Sequence, residues 1–283
     1  MPVQLRPINR GDLGGVAEFM HRQMDSSVPT AEWERLMKTP WGEEGPNSGF
    51  MLVEGDAVVG AYLAFYCERP WAAPLRICNL GTWCVAPRHR LHSLRLLRAL
   101  LDQEGYLFTD LTPDETVIAV NRRLGFSWLP GPAALVPPLP WPAGRAGGSA
   151  ISFDPEAVEA ALSGPDLAAY RDHAGCEAVV QAALTEGDER CHIVLRLERR
   201  LGMPVAILLH VSNPRLYLRL AGAFGRRLLR RHAAVAQLAE RAILPQPPRP
   251  AKRVRAPRRM LLAPNGIPER MDYLYSELAR LRW

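Results

Sequence analysis

No apolar run in this 283-residue chain approaches the roughly 20 residues that span a bilayer. The opening MPVQLRPINRGDL has no basic flank before an apolar stretch and no small-residue cleavage site. The expected chain therefore has no membrane span and stays in the cytoplasm. Cysteine is sparse: Cys67, Cys78, Cys84, Cys176 and Cys191 are an odd count, with no C-x-x-C and no His at metal-ligand spacing. That excludes a disulfide framework and gives no sign of a metal site, so reduced, mostly buried thiols are expected. Lysine is nearly absent, only Lys38 and Lys252, so the net charge of +6 is carried by arginine and favours acidic ligands.

What is present suits globular packing. Hydrophobic residues make up 48% and charged residues 23%, and the length allows two domains with separate cores. Periodicity predicts a strand at Val3–Arg6, helices at Leu13–Met24 and Thr30–Lys38, and three consecutive strands at Phe50–Glu54, Val58–Cys67 and Arg76–Val85. A leucine-rich helix at His89–Gln103, a strand at Tyr106–Leu111, a helix ending at Arg123 and a strand at Phe126–Leu129 complete the first half.

The stretch 136–150 is rich in Pro, Gly and Ala and reads as a linker between a domain at 1–135 and a second at 151–283. Beyond it a similar order returns. Helices are expected at Pro155–Leu162 and Asp166–Ala174, then three extended runs, an Arg-rich helix at Pro214–His232 and an apolar run at Ala233–Leu244. An Arg/Pro-rich loop is expected near 245–257, and a C-terminal helix at Glu269–Leu281.

Two runs carry chemistry. Trp83-Cys84-Val85-Ala86-Pro87-Arg88-His89-Arg90, followed by a helix, resembles the pattern V-x-P-x-x-R-G-x-G-x-G. Asp114–Phe126, closing on Arg123-Leu124-Gly125-Phe126, resembles N-x-x-A-x-x-x-Y-x-x-x-G-F. In this order, both resemble the GCN5-related N-acetyltransferase (GNAT) superfamily, over about Leu5–Leu129; the second half resembles it in element order alone. The resemblance implies an α/β fold with a mixed, mostly antiparallel central sheet flanked by helices, in tandem if the second half repeats it. It also implies acetyl-CoA or another acyl-CoA as co-substrate, no metal, and direct attack by an amine.

In that family a strand diverges from its neighbour and offers its edge to the pantetheine arm, while the next helix start meets the pyrophosphate. Carried over, the donor-binding residues are Trp83, Cys84, Val85, Arg90, Leu91, His92, Ser93, Leu94, Arg95 and Asn121, with Arg90, Ser93 and Arg95 on the pyrophosphate. Leu91, Ser93 and Arg95 stand where the pattern has glycine, Asp114 where it has Asn, and Asn121 where it has Tyr.

The basic cluster Arg88, His89, Arg90, His92, Arg95 and Arg98 opens a helix, where a bound anion would offset the positive helix end. Glu54 and Asp56 read as turn residues. Glu68, Asp110 and Asn121 are the candidates for proton handling or sulfur contact. Trp41, Phe65, Trp71 and Trp83 offer either a cleft lining or core. The leading expectation is an N-acyltransferase moving an acyl group from acyl-CoA, or an acidic carrier protein's thioester, to a small-molecule or peptide amine. A non-catalytic GNAT-like binding module is one alternative, and an aminoacyl-tRNA-dependent transferase is another. The basic second half carries neither aromatic interleaving nor a nucleic-acid motif, so nucleic acid is not the expected partner.

Overall fold

A computed structural model describes residues 2–38, 45–70, 74–129, 131–138, 148–263, 266, 268 and 271–281. The chain forms two compact units. In chain order the elements are β1 (Gln4–Pro7), α1 (Leu13–Gln23), α2 (Thr30–Met37), β2 (Gly49–Glu54), β3 (Ala57–Pro70), β4 (Pro74–Val85), α3 (Ser93–Leu101), β5 (Leu107–Asp110), α4 (Glu115–Arg123) and β6 (Ser127–Trp128). Then come β7 (Ala133–Val136), β8 (Ser149–Ser152), α5 (Pro155–Ala161), α6 (Gly164–Asp172), β9 (Val180–Glu186), β10 (Glu189–Arg200), β11 (Met203–Val211), α7 (Pro214–His232), β12 (Ala236–Glu240), β13 (Lys252–Val254) and β14 (Met260–Leu262).

The first unit holds Met1–Trp128, Arg258–Gly266 and Tyr275–Glu277, and its seven-stranded sheet runs β1-β2-β3-β4-β5-β14-β6. Only β4 and β5 pair in parallel; every other neighbour is antiparallel. The core follows from alternation along strands meeting helical period. Tyr62, Ala64 and Tyr66 of β3 and Cys78 and Leu80 of β4 share one face, against which α3 presents Leu96, Leu97 and Leu100. Gly49 has φ +110°, and a Cβ there would lie 2.0 Å from the Tyr62 carbonyl oxygen, so that position tolerates only glycine.

The second unit holds Leu129–Pro257, Ile267–Leu274 and Leu278–Trp283, with a sheet ordered β13-β7-β12-β11-β10-β9-β8. Its one parallel pair is β11 with β12. Each sheet thus has five strands in sequence order, a parallel step, and one strand inserted before its edge. In the first sheet the inserted strand is β14, near the end of the chain; in the second it is β7, next in sequence after β6.

The structure departs from expectation in several places, among them the expected loop near 245–257, where Lys252–Val254 pairs with β7 as β13. The expected linker is bounded by strands, β7, which overlaps it at Val136 and pairs with both β12 and β13, and β8, which starts at Ser149. Residues 139–147 of the expected linker lie outside the described residues, as do Trp41 and Trp71. The expected helix at Glu269–Leu281 is extended chain and turn in its described part, with one short 3-10 turn at Glu277–Ala279. Its apolar positions match helical spacing, yet Tyr273, Leu274, Ser276, Glu277 and Ala279 are all at or below 1% exposure. Burial on every side removes the need for an amphipathic helix. The helix expected from His89 begins as a 3-10 turn, Pro87–His92, and becomes α-helical at Ser93.

Candidate active site

The parallel pairing of β4 with β5 covers only Ile77–Leu80 against Leu107–Asp110. β4 continues to Val85 with β3 on one side, so its other edge opens as the strands diverge. A register shift lies between Tyr62 and Ala64, which face Trp83 and Leu80. Gly81 and Thr82 therefore form a bulge that restarts the alternation. A Cβ on Gly81 would come within 2.5 Å of the Phe65 ring.

Sequence alternation alone puts Trp83 on the face of Asn79 and Gly81. The bulge instead places it on the face of Leu80, stacked on Tyr62 with centroids 4.7 Å apart and planes 5° apart. Trp83 Nε1 is buried without a hydrogen-bond partner among the described residues.

A buried polar cluster sits where the strands part. Asp110 ends β5 at 4% exposure, and its Oδ2 accepts from Asn121 Nδ2 of α4 at 2.8 Å. Burial pushes the Asp110 carboxyl up to about 7; the Asn121 hydrogen bond opposes this, and the nearby Glu277 charge reinforces it. Asn121 is fully buried, and its Oδ1 has no partner among the described residues. Asp114 accepts from Val117 N at 2.8 Å and so serves as the α4 N-cap.

Tyr275–Glu277, from late in the chain, belongs to this unit and is held at Arg69 of β3, Asn79 of β4 and Thr112 just after β5. The Tyr275 carbonyl accepts from Asn79 Nδ2, Arg69 sits 4.9 Å from the Tyr275 ring centroid, and Glu277 Oε1 accepts from Thr112 Oγ1 at 3.0 Å.

The segment after β4 uses its backbone differently from a glycine-rich loop. Its 3-10 winding commits the His89 N–H to the Ala86 carbonyl at 2.8 Å and the Ser93 N–H to Arg90. Leu91 is 97% exposed and Leu94 45%. Arg95 Nη1 donates to the Val3 carbonyl at 3.1 Å, and His89 Nε2 lies 3.3 Å from Glu54 Oε2. Arg88 and Arg90 point to solvent, with His92 and Ser93 half-buried. Burial raises the Cys84 thiol above its ordinary range while the Arg90 charge opposes the shift, so Cys84 is a poor nucleophile.

Glu68 is exposed and faces Arg76 near the far end of the β3–β4 hairpin, apart from Asp110 and Asn121, which the fold brings together. Sequence reasoning missed Tyr62, Thr112 and Glu277. Glu277 in particular is separated from Asp110 by most of the chain and carries no motif.

The second unit repeats the divergence. β11 and β12 pair over Val205–Ile207 and Ala236–Leu238, and β11 runs on to Val211. Here the freed edge is taken: Tyr273 N donates to the Leu209 carbonyl at 3.0 Å, and Tyr273 Oη donates to Glu240 Oε2 at 2.9 Å. The start of α7 is closed as well, with Asn213 Oδ1 accepting from Leu216 N.

No protein-family model matches the sequence, and no curated protein matches it. Solved structures do match in three dimensions. A GCN5-related N-acetyltransferase from Kribbella flavida superposes with TM-score 0.60 at 16% identity, covering 92% of this chain and 70% of that one. One from Anabaena variabilis gives TM-score 0.59 at 11% identity, with 92% and 72% covered. Eis1 from Mycobacterium abscessus gives 0.54 at 14%, with 92% and 73% covered.

The fold is that of the GCN5-related N-acetyltransferases. The matched 92% draws on both units, so the GNAT fold describes the chain as a whole. The expected α/β class and mixed, mostly antiparallel sheet are those observed. No helix of the described residues is long and apolar enough to cross a membrane, and no group of three or more potential metal ligands occurs among them.

Proposed function

We propose that the first unit transfers an acyl group from acetyl-CoA, another acyl-CoA or an acyl-carrier thioester to an amine. One observation carries this: Asp110, a carboxyl that burial pushes up to about 7, lies where β4 beyond Leu80 has, among the described residues, no strand on its second edge. The thioester would supply an activated acyl carbon and a good leaving thiolate. The free edge of Gly81–Val85 fits an amide-bearing pantetheine arm, which would pair with it as an added strand does. Trp83 Nε1 is a donor available to the acyl carbonyl. Asp110 as carboxylate takes the proton of the attacking amine, and Asn121 holds its Oδ2 in place.

The phosphate end fits differently. With amides of the 3-10 turn already engaged and Arg95 tied to Val3, the negative charge would be met by the side chains of Arg88, Arg90 and His92. That same wound loop, with an amide at Asn121 where the family pattern has tyrosine, favours a second reading, a non-catalytic binding module on the same fold.

A thermal-shift series with acetyl-CoA, longer acyl-CoA esters and free CoA separates the two. Stabilisation together with thioester consumption in the presence of amines supports transfer. Stabilisation without consumption supports the binding module, and no shift at millimolar ligand overturns the donor assignment.

A further inference from the structure

The Arg/Pro-rich stretch after β12 carries charge that the proposed reaction does not use. Residues 129–138 and 241–257 hold five cations, Arg241, Arg249, Lys252, Arg253 and Arg255, and no Asp or Glu. The two stretches meet in the second unit around a hollow of about 270 Å³. Strand register sets its floor. Ala239 of β12, Ala134 of β7 and Arg253 of β13 stand opposite one another, so their side chains share one face of the sheet. Two small alanines in that row leave the face open, and Leu244, Pro245 and Pro247 bound the space beside it.

Arg241, just past β12, borders the same hollow. Its stem crosses Gly131, where φ is +105° and a Cβ would lie 2.5 Å from Arg241 Cδ. Neither Arg241 nor Arg253 has a hydrogen-bond or ion-pair partner for its guanidinium among the described residues. Glu240, the adjoining carboxylate, alternates to the other face, where it accepts from Tyr273 Oη. Two unpaired cations on one concavity repel each other, and an anion within reach of both relieves that repulsion. Two guanidinium forks suit a tetrahedral dianion better than a single carboxylate. The alanine and leucine lining gives a carbon body somewhere to lie, while no aromatic side chain borders the hollow on which a nucleic-acid base could stack.

We infer that this hollow binds a small soluble organic phosphate, a phosphomonoester dianion whose phosphoryl oxygens meet Arg241 and Arg253 and whose carbon body rests on Ala134, Ala239 and Leu244. The inference does not depend on the acyl-transfer reading. Lys252 supplies an internal comparison: it is the neighbour of Arg253 on β13, it is equally a cation, and its pairing with Leu135 puts it on the opposite face.

The test uses the full chain at pH 8, where a phosphomonoester is a dianion, with n-butyl phosphate against n-butanol and sodium sulfate at matched ionic strength. At about 10 mM ester the melting temperature of the wild type should rise by about 2 °C or more, with no rise from n-butanol and a smaller one from sulfate. Arg241→Gln and Arg253→Gln should each lose most of the rise, and Lys252→Gln should keep it. Both arginines are exposed, and glutamine retains part of each stem. No shift in the wild type overturns the inference. So does an equal shift with sulfate, which is plain anion binding, or an equal loss in Lys252→Gln, which is a diffuse basic field. A shift that both arginine variants retain places the ester elsewhere and also counts against the site. Sedimentation with phosphatidylcholine vesicles carrying phosphatidic acid, in a protein that ignores n-butyl phosphate, assigns the charge to a lipid surface and overturns the soluble ligand.

Discussion

Asn121 donates its side-chain N–H to Asp110 Oδ2 at 2.8 Å, joining the last turn of α4 to the last residue of β5 inside the first unit. The pairing holds the carboxyl in place and works against the effect of its burial. Burial raises the Asp110 pKa and the amide restrains the rise, leaving a carboxyl that changes charge near pH 7.

Transfer should therefore increase with pH through an apparent pKa of about 7, as Asp110 becomes a carboxylate able to take a proton. Asp110→Asn should lower the rate at pH 8 by about a hundredfold or more and flatten that limb of the profile. Steady-state rates from pH 5.5 to 9 check this, and an unchanged limb in the variant would assign the titration elsewhere.

The same group sets a stability trend. Its folded pKa lies above the ordinary carboxylate value, so the folded protein holds the proton more tightly than the unfolded chain. The resulting stabilisation is complete below about pH 4 and is lost as pH rises through about 7. Asp110→Asn removes the ionisable group, so its stability relative to wild type should improve between pH 5 and pH 8, by up to a few kcal/mol. Urea unfolding at the two pH values reads the difference.

Arg90 and Arg95 should separate, although sequence spacing places both on the pyrophosphate. Arg90→Glu should weaken acyl-CoA binding at least tenfold, because its exposed guanidinium is one of few charges left for the phosphates. Arg95→Ala should leave that affinity within about twofold and cost about 1 kcal/mol of stability, through loss of its bond to the Val3 carbonyl. Titration calorimetry and denaturation of both variants supply the comparison.

One donor should bind per chain. The freed edge of β11 is occupied by Tyr273 at Leu209, and the start of α7 is capped by Asn213, whereas among the described residues β4 beyond Leu80 is paired on one side only. Calorimetry with acetyl-CoA should give a stoichiometry near one, and a value near two would show that the second unit opens.

Much of this architecture was legible in sequence because it is written locally. Leu13, Val16, Ala17 and Met20 recur at helical spacing and form the buried face of α1. The run from Gly49 to Val85 reads as three strands and folds as β2, β3 and β4. The illegible parts depend on partners distant in the chain. β14 is three residues whose strand character comes from pairing with β5 and β6, and Glu277 matters only because the fold returns it to Thr112 and Asp110. The bulge at Gly81 and Thr82 also escaped a period-two reading, which moved Trp83 to the opposite face.

The position of β14 bears on how the protein is made. The first sheet is complete only when Met260–Leu262 enters between β5 and β6, yet about 130 residues separate Trp128 of β6 from Met260. At roughly 5 to 20 residues per second, the nascent first unit waits on the order of ten seconds with the hydrogen-bonding edges of β5 and β6 unclosed. During that interval β7, the next strand to emerge, is the nearest competitor for the same slot. Slow translation between Trp128 and Met260, or a stop before Met260, should thus send the chain toward aggregation or chaperone capture even though every residue of the proposed acyl-arm edge has already been synthesised.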